Sequence, residues 1–156
     1  MAGTATAPGE QEFAVHRTIR APRERVFEAF LSAEPLRRWF GPDGFDTVTH
    51  DIDPRQGGLW RFTMHGPDGT EYPNWVRYVE FVAPERLVWD QGREVGGEPW
   101  HRTTVTLEET DGATHVTLHM RFPDAAARRR AVEDYGAVEG GKQTLARLAA
   151  HVEARA

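Results

Sequence analysis

Three residues of the 156-residue chain have types that suit proton transfer in a pocket: Asp46, His50 and Tyr135. Histidine, with an unperturbed pKa near ~6.5, can give or take a proton at neutral pH. Asp46 and His50 lie four apart in an alternating segment, so at ~3.3 Å per residue they stand about 13 Å apart and form no direct dyad. The same spacing decides the string HVTLH. On a helix His115 and His119 would chelate a metal, but on the strand that their alternation indicates they are too far apart and belong to a solvated outer face. Ser32, the only serine, stands shortly before Pro35 and suits a turn or helix start better than a nucleophile. The run Arg128-Arg129-Arg130 reads as a solvated helix face, and no triad, phosphate loop or dinucleotide fingerprint is present.

Two arginines fall among apolar neighbours. Arg17 shares an alternation class with Phe13, Val15 and Ile19, and Arg77 shares one with Trp75, Val79 and Phe81. A buried arginine must be paired or bonded. Arg17 either reaches an edge or a carboxylate, or it meets a ligand, and its spacing does not choose between these. Because Lys142 is the only lysine, an inward cation here is a five-donor fork suited to a carboxylate or carbonyl.

Composition removes several classes of function. With 19 Lys plus Arg against 24 Asp plus Glu, the formal charge is −5, which argues against nucleic-acid and membrane partners. The chain has no cysteine, hence no disulfide framework or thiolate metal site. No apolar run approaches the ~20 residues that span a bilayer. These readings predict a single cytoplasmic domain over 12–156 behind a disordered N-terminal tail, 1–11, with no cofactor and no metal.

The elements that would position a site follow from periodicity. EFAVHRTIR alternates as a strand, and RERVFEAFLS and LRRWF carry helical spacing. Six further strands, FDTVTHDI, LWRFTMH, NWVRYVEF, RLVWDQ, HRTTVTLEE and THVTLHMRF, are separated by turns such as GPDG, DPRQGG and VGGEP. Connections this short imply antiparallel neighbours. After Pro123, the residues Tyr135, Val138, Gly141, Leu145, Leu148 and Val152 trace one stripe of a long helix that must cover a face of the sheet.

That order, and the strings RTIRAPRERVFEAF, EPLRRWFGPDGF, DPRQGGLWRF, HGPDGTEYP, VEFVAPERLVW and GGKQTLARLAAHVE, resemble the START-like (SRPBCC) superfamily, in particular the branch named after the activator of heat-shock protein 90 ATPase. The resemblance implies an α+β helix-grip fold: a curved antiparallel sheet of about six or seven strands around a long C-terminal helix, with two short helices after the first strand. It also implies a hydrophobic cavity between sheet and helix. Superfamily members include lipid and hormone binders, polyketide cyclases and co-chaperone domains, so fold alone does not choose a function. The co-chaperones carry a separate N-terminal domain for which these 156 residues leave no room, so a chaperone partner is not expected. A homodimer is left open.

Within that fold, alternation assigns Trp60, Phe62 and Met64, then Trp75, Arg77, Val79 and Phe81, to the inner face, with Val76, Tyr78 and Glu80 outside. Trp89, Val105, Leu118 and Met120 continue the lining. Trp39 caps the second short helix, and Tyr135, Val138, Gly141 and Leu145 face the sheet from the last one. Gly141, with Gly140 beside it, leaves either a close helix–sheet approach or a void, since a helical glycine costs about 1 kcal/mol relative to alanine. The expectation is a pocket for a small hydrophobic molecule, lipid-, aromatic- or polyketide-like, anchored by Arg17, His50 and Arg77. Binding is the primary reading; cyclase-type acid–base chemistry in the same pocket and a co-chaperone module are the alternatives.

Overall fold

The computed structural model describes residues 4–6 and 10–154. Its elements run β1 (Thr4–Thr6), β2 (Glu12–Ile19), α1 (Arg23–Glu28), α2 (Ala33–Trp39), β3 (Asp46–Ile52), β4 (Leu59–His65), β5 (Glu71–Val82), β6 (Arg86–Gly92), β7 (His101–Thr110), β8 (Ala113–Arg121), α3 (Ala125–Tyr135) and α4 (Ala137–Glu153). Seven strands form a curved antiparallel sheet in the order β2-β8-β7-β6-β5-β4-β3, and β1 adds a short strand outside β2. The helices lie on its concave face, as a helix-grip fold requires. No helix among the described residues is long and apolar enough to cross a membrane.

Burial follows the alternation in most strands. Phe13, Val15, Ile19, Trp60, Phe62, Leu87, Trp89, Val105, Leu107 and Val116 are buried on the inner face, against Leu145, Leu148 and Val152 of α4. Burying each of these side chains contributes about 1.5–3 kcal/mol. The α1–α2 corner closes one end of the core, where Trp39 donates its indole N–H to the Ala29 carbonyl at 2.9 Å. Phe30 packs on the Trp39 ring with centroids 4.8 Å apart.

Within the expected tail, Thr4–Thr6 pair antiparallel with Ala14–His16 along the edge of β2. The rest of that tail, residues 1–3 and 7–9, lies outside the described residues. Three local expectations are corrected. The single C-terminal helix is two. Gly136 takes left-handed angles (φ 61°, ψ 39°), ending α3 and starting α4, a conformation that glycine adopts without a Cβ penalty.

In β5 the inner and outer sets are exchanged. Val76 and Tyr78 are buried inside, while Arg77 and Val79 face out. A bulge between Tyr78 and Glu80 then shifts the parity, so that Phe81 turns inward against Phe27 and Tyr78. In β3, His50 lies on the outer face beside Thr63, and a second irregularity between Thr49 and Asp51 brings Ile52 inward opposite Trp60. Thr47 and Thr49 point inward instead, across from Met64 and Phe62.

Candidate functional site

A cavity of about 210 Å³ lies between the first half of α4 and the strands β6–β8. Its size follows from a gradient along α4. Gly140, Gly141 and Thr144 face the void with little or no side chain, whereas Leu145, Leu148 and Val152 farther along fill the sheet's concavity with core. A Cβ placed on Gly141 would sit 3.1 Å from Val15 Cγ2, so the helix backbone lies nearly on the sheet there. The glycines thus provide both a close approach and a neighbouring void.

The wall is largely apolar. Phe30, Trp39 and Phe40 close it from the α1–α2 corner, Met64 from β4, Trp89 from β6, and Val105, Val116, Leu118 and Met120 from β7 and β8. Tyr135, Gly136 and Ala137 form the rim, and Tyr135 is 84% exposed. Among the described residues, no Asp, Glu, Lys or Arg lines this space.

Polar groups gather at one corner, and strand register puts them there. Trp89 lies opposite Thr103, and Gln91 opposite His101, one step along the same face. The Trp89 indole donates to Gln91 Oε1 at 3.2 Å, Gln91 Nε2 donates to Asn74 Oδ1 at 2.9 Å, and Asn74 Nδ2 donates to the Tyr72 carbonyl at 2.9 Å. This chain fixes the amide orientation. Gln91 and Thr103 are buried, and His101 packs on Phe122 with ring centroids 5.6 Å apart. Burial pushes the His101 pKa down to about 4, against the weaker opposing pull of Asp90. The imidazole is therefore neutral at ordinary pH.

Nine expected residues meet on this wall: Trp39, Met64, Trp89, Val105, Leu118, Met120, Tyr135, Gly141 and Leu145. Trp60, Phe62, Phe81 and Val138 belong to the core beside it; Trp60 stacks on Phe62 at 3.9 Å and donates to Thr49 Oγ1 at 3.0 Å. Trp75 is buried on the outer face, over Gly92. Val79 is exposed there.

None of the three polar anchors reaches the cavity. Arg17 keeps its inward place opposite Val116, half-buried and off the wall. His50 bonds Thr63 Oγ1 at 2.8 Å, and Arg77 donates to the Gly57 carbonyl at 2.9 Å, both on the outer face. Asp46 is held by Arg37 in a two-bond ion pair. His115 bonds Thr18 and His119 bonds Glu12, and no group of three or more His, Asp or Glu among the described residues is placed to hold a metal.

The polar corner of Gln91, His101 and Thr103 was not anticipated, although Leu87-Trp89-Gln91 and His101-Thr103-Val105 continue the same alternation.

Residues 20–153 match the model of the family described as Activator of Hsp90 ATPase homolog 1-like protein. No curated protein matches the chain. Among solved structures, a protein from Arthrobacter aurescens superposes with a TM-score of 0.86 at 23% identity, over 96% of this chain and 91% of that one. Protein Ms6760 from Mycobacterium smegmatis gives 0.85 at 22% identity, over 98% and 100%. Protein CV1439 from Chromobacterium violaceum gives 0.79 at 29% identity, over 93% and 99%.

Proposed function

This chain belongs to the family of Activator of Hsp90 ATPase homolog 1-like proteins, and from that premise and the cavity we propose that it binds a small hydrophobic molecule between the sheet and α4. The observation that carries the reading is the void itself, walled by Trp39, Trp89, Leu118 and Met120 and kept open by the small residues of α4. Apolar pockets with a few convergent polar groups are the usual form of small-molecule sites. The partner in this reading is a small molecule, neither nucleic acid nor membrane, and the setting is the cytoplasm.

Binding is favoured over acid–base turnover by the character of the polar corner. A general base works best with a pKa near the working pH, and His101 at about 4 is a weak base. Of the other candidates, Asp46 and His50 are engaged elsewhere, and Tyr135 stands exposed at the rim. No observation of this structure favours the co-chaperone reading over binding.

Thermal melting and native mass spectrometry against a panel of lipids, aromatics and polyketide-like compounds test the reading. The expected result is a saturable rise in Tm for at least one class, lost in Leu118→Trp, which fills the void from β8. A panel without any shift, or a filled variant that binds as the wild type does, would overturn it.

A further inference from the structure

We propose that the natural ligand is an uncharged, single-ring molecule with one hydroxyl or carbonyl, its ring held by the aromatic wall and its polar group bonded at the corner formed by Gln91, His101 and Thr103. This rests on the cavity reading above and narrows it to a chemical class. Three observations converge on it.

The first is size. An apolar cavity of roughly 150 Å³ accommodates benzene. The volume here, about 210 Å³, leaves room for a ring with a short substituent and falls short of a long acyl chain or a fused polycycle.

The second is charge. Burying a carboxylate or ammonium without a counter-charge is prohibitive, and no charged side chain among the described residues faces the void. Arg17 and Arg77, which could have received an anion, are off the wall.

The third is unspent hydrogen-bonding capacity. Thr103 is only 2% exposed, lines the cavity, and makes no side-chain hydrogen bond among the described residues. Gln91 has used one donor and one acceptor on Asn74 and Trp89, so one of each remains. The neutral His101 ring, kept so by burial, adds a donor and an acceptor. Three groups that both give and accept suit a hydroxyl or carbonyl. A wholly apolar ligand would leave them unpaired, which buried polar groups seldom are.

The test measures affinities of the full chain at pH 7 for 4-ethylphenol, ethylbenzene, 4-ethylbenzoate and palmitate by calorimetry. The expected order is 4-ethylphenol over ethylbenzene by about threefold to tenfold, the range of one net hydrogen bond, with 4-ethylbenzoate weakest among the ring compounds. Thr103→Val should bring the ratio of the two affinities towards one, a readout that general loss of structure, which weakens both ligands alike, would not give. Equal affinity for the phenol and ethylbenzene, or 4-ethylbenzoate binding as tightly as the phenol, would overturn the proposal. Palmitate binding without any of the ring compounds would overturn the class and leave the cavity reading standing. Silence from all four compounds and from the broader panel would remove both.

Discussion

Val15 and Gly141 meet across the helix–sheet interface so closely that a methyl group on the glycine would stand 3.1 Å from Val15 Cγ2. Two effects of opposite sign follow from adding it. Alanine raises helix propensity by about 1 kcal/mol, and overpacking costs about 1–3 kcal/mol. Gly141→Ala should therefore be neutral to destabilising by up to about 2 kcal/mol in urea denaturation. Val15→Ala in the same chain should recover part of that loss, and a double-mutant cycle showing no coupling would contradict the contact.

Gly92 under Trp75 is a stricter case. A Cβ there would fall 2.8 Å from three atoms of the indole, a rigid ring that cannot fold aside. Gly92→Ala should cost about 1–3 kcal/mol, measured as a lower urea midpoint at an unchanged slope. The buried Trp75 indole N–H has no hydrogen-bond partner among the described residues, so Trp75→Phe gives up no hydrogen bond to them.

Arg147 acts as a fastener between α4 and the chain from the end of α2 to Phe45. Its guanidinium donates to the carbonyls of Gly41 and Pro42 at 2.9 Å, Arg38 at 3.0 Å and Phe45 at 3.1 Å. Only a planar fork reaches four acceptors spread this way. Arg147→Ala should lower stability by about 2–4 kcal/mol, since bonds from charged donors contribute roughly 1.5–3 kcal/mol each and are not additive. Arg147→Lys should restore less than half. A lysine variant that melts with the wild type would show that charge alone suffices.

The depressed His101 pKa sets a direction for pH dependence. The unfolded chain takes up a proton at this residue as pH falls through about 6.5, whereas the folded chain takes it up only near 4. Between those values the unfolded state binds more protons, so stability falls on acidification, by up to about 3 kcal/mol from this group. His101→Gln, which cannot titrate, should show a shallower loss between pH 7 and 4.5 than the wild type. Parallel curves would place the imidazole in water.

The element order and most strand limits are legible in the sequence because turns and alternation agree: β4 occupies Leu59–His65, the same seven residues that LWRFTMH marks. The failures are equally physical. NWVRYVEF is apolar on both faces, with Trp75 and Val79 on one side and Val76 and Tyr78 on the other, and a bulge reverses its parity partway. In β3 the same device brings Ile52 inward while Val48 and His50 stay outside, so the even spacing of Val48, His50 and Ile52 does not mark one face. The break at Gly136 was hidden because Tyr135 and Val138 continue the helical stripe across it, although glycine at a helix end is a known stop signal. The polar corner escaped because Gln91, His101 and Thr103 have side chains that usually face water, and only the shared alternation with Trp89 and Val105 marked them as inward.

The pairing of β2 with β8 also dictates an order of assembly. Glu12 and His119 touch although 107 residues separate them, and Glu153 at the far end of α4 accepts from the Arg20 amide. During synthesis β2 therefore waits until Ala113–Arg121 has been made before its principal neighbour exists. Such high-separation contacts slow folding, and the unpaired edges of a half-made sheet invite pairing with other chains. Chains truncated before Ala113 should accumulate as aggregates, while the β3–β7 meander, built from adjacent hairpins, has the local contacts to form first.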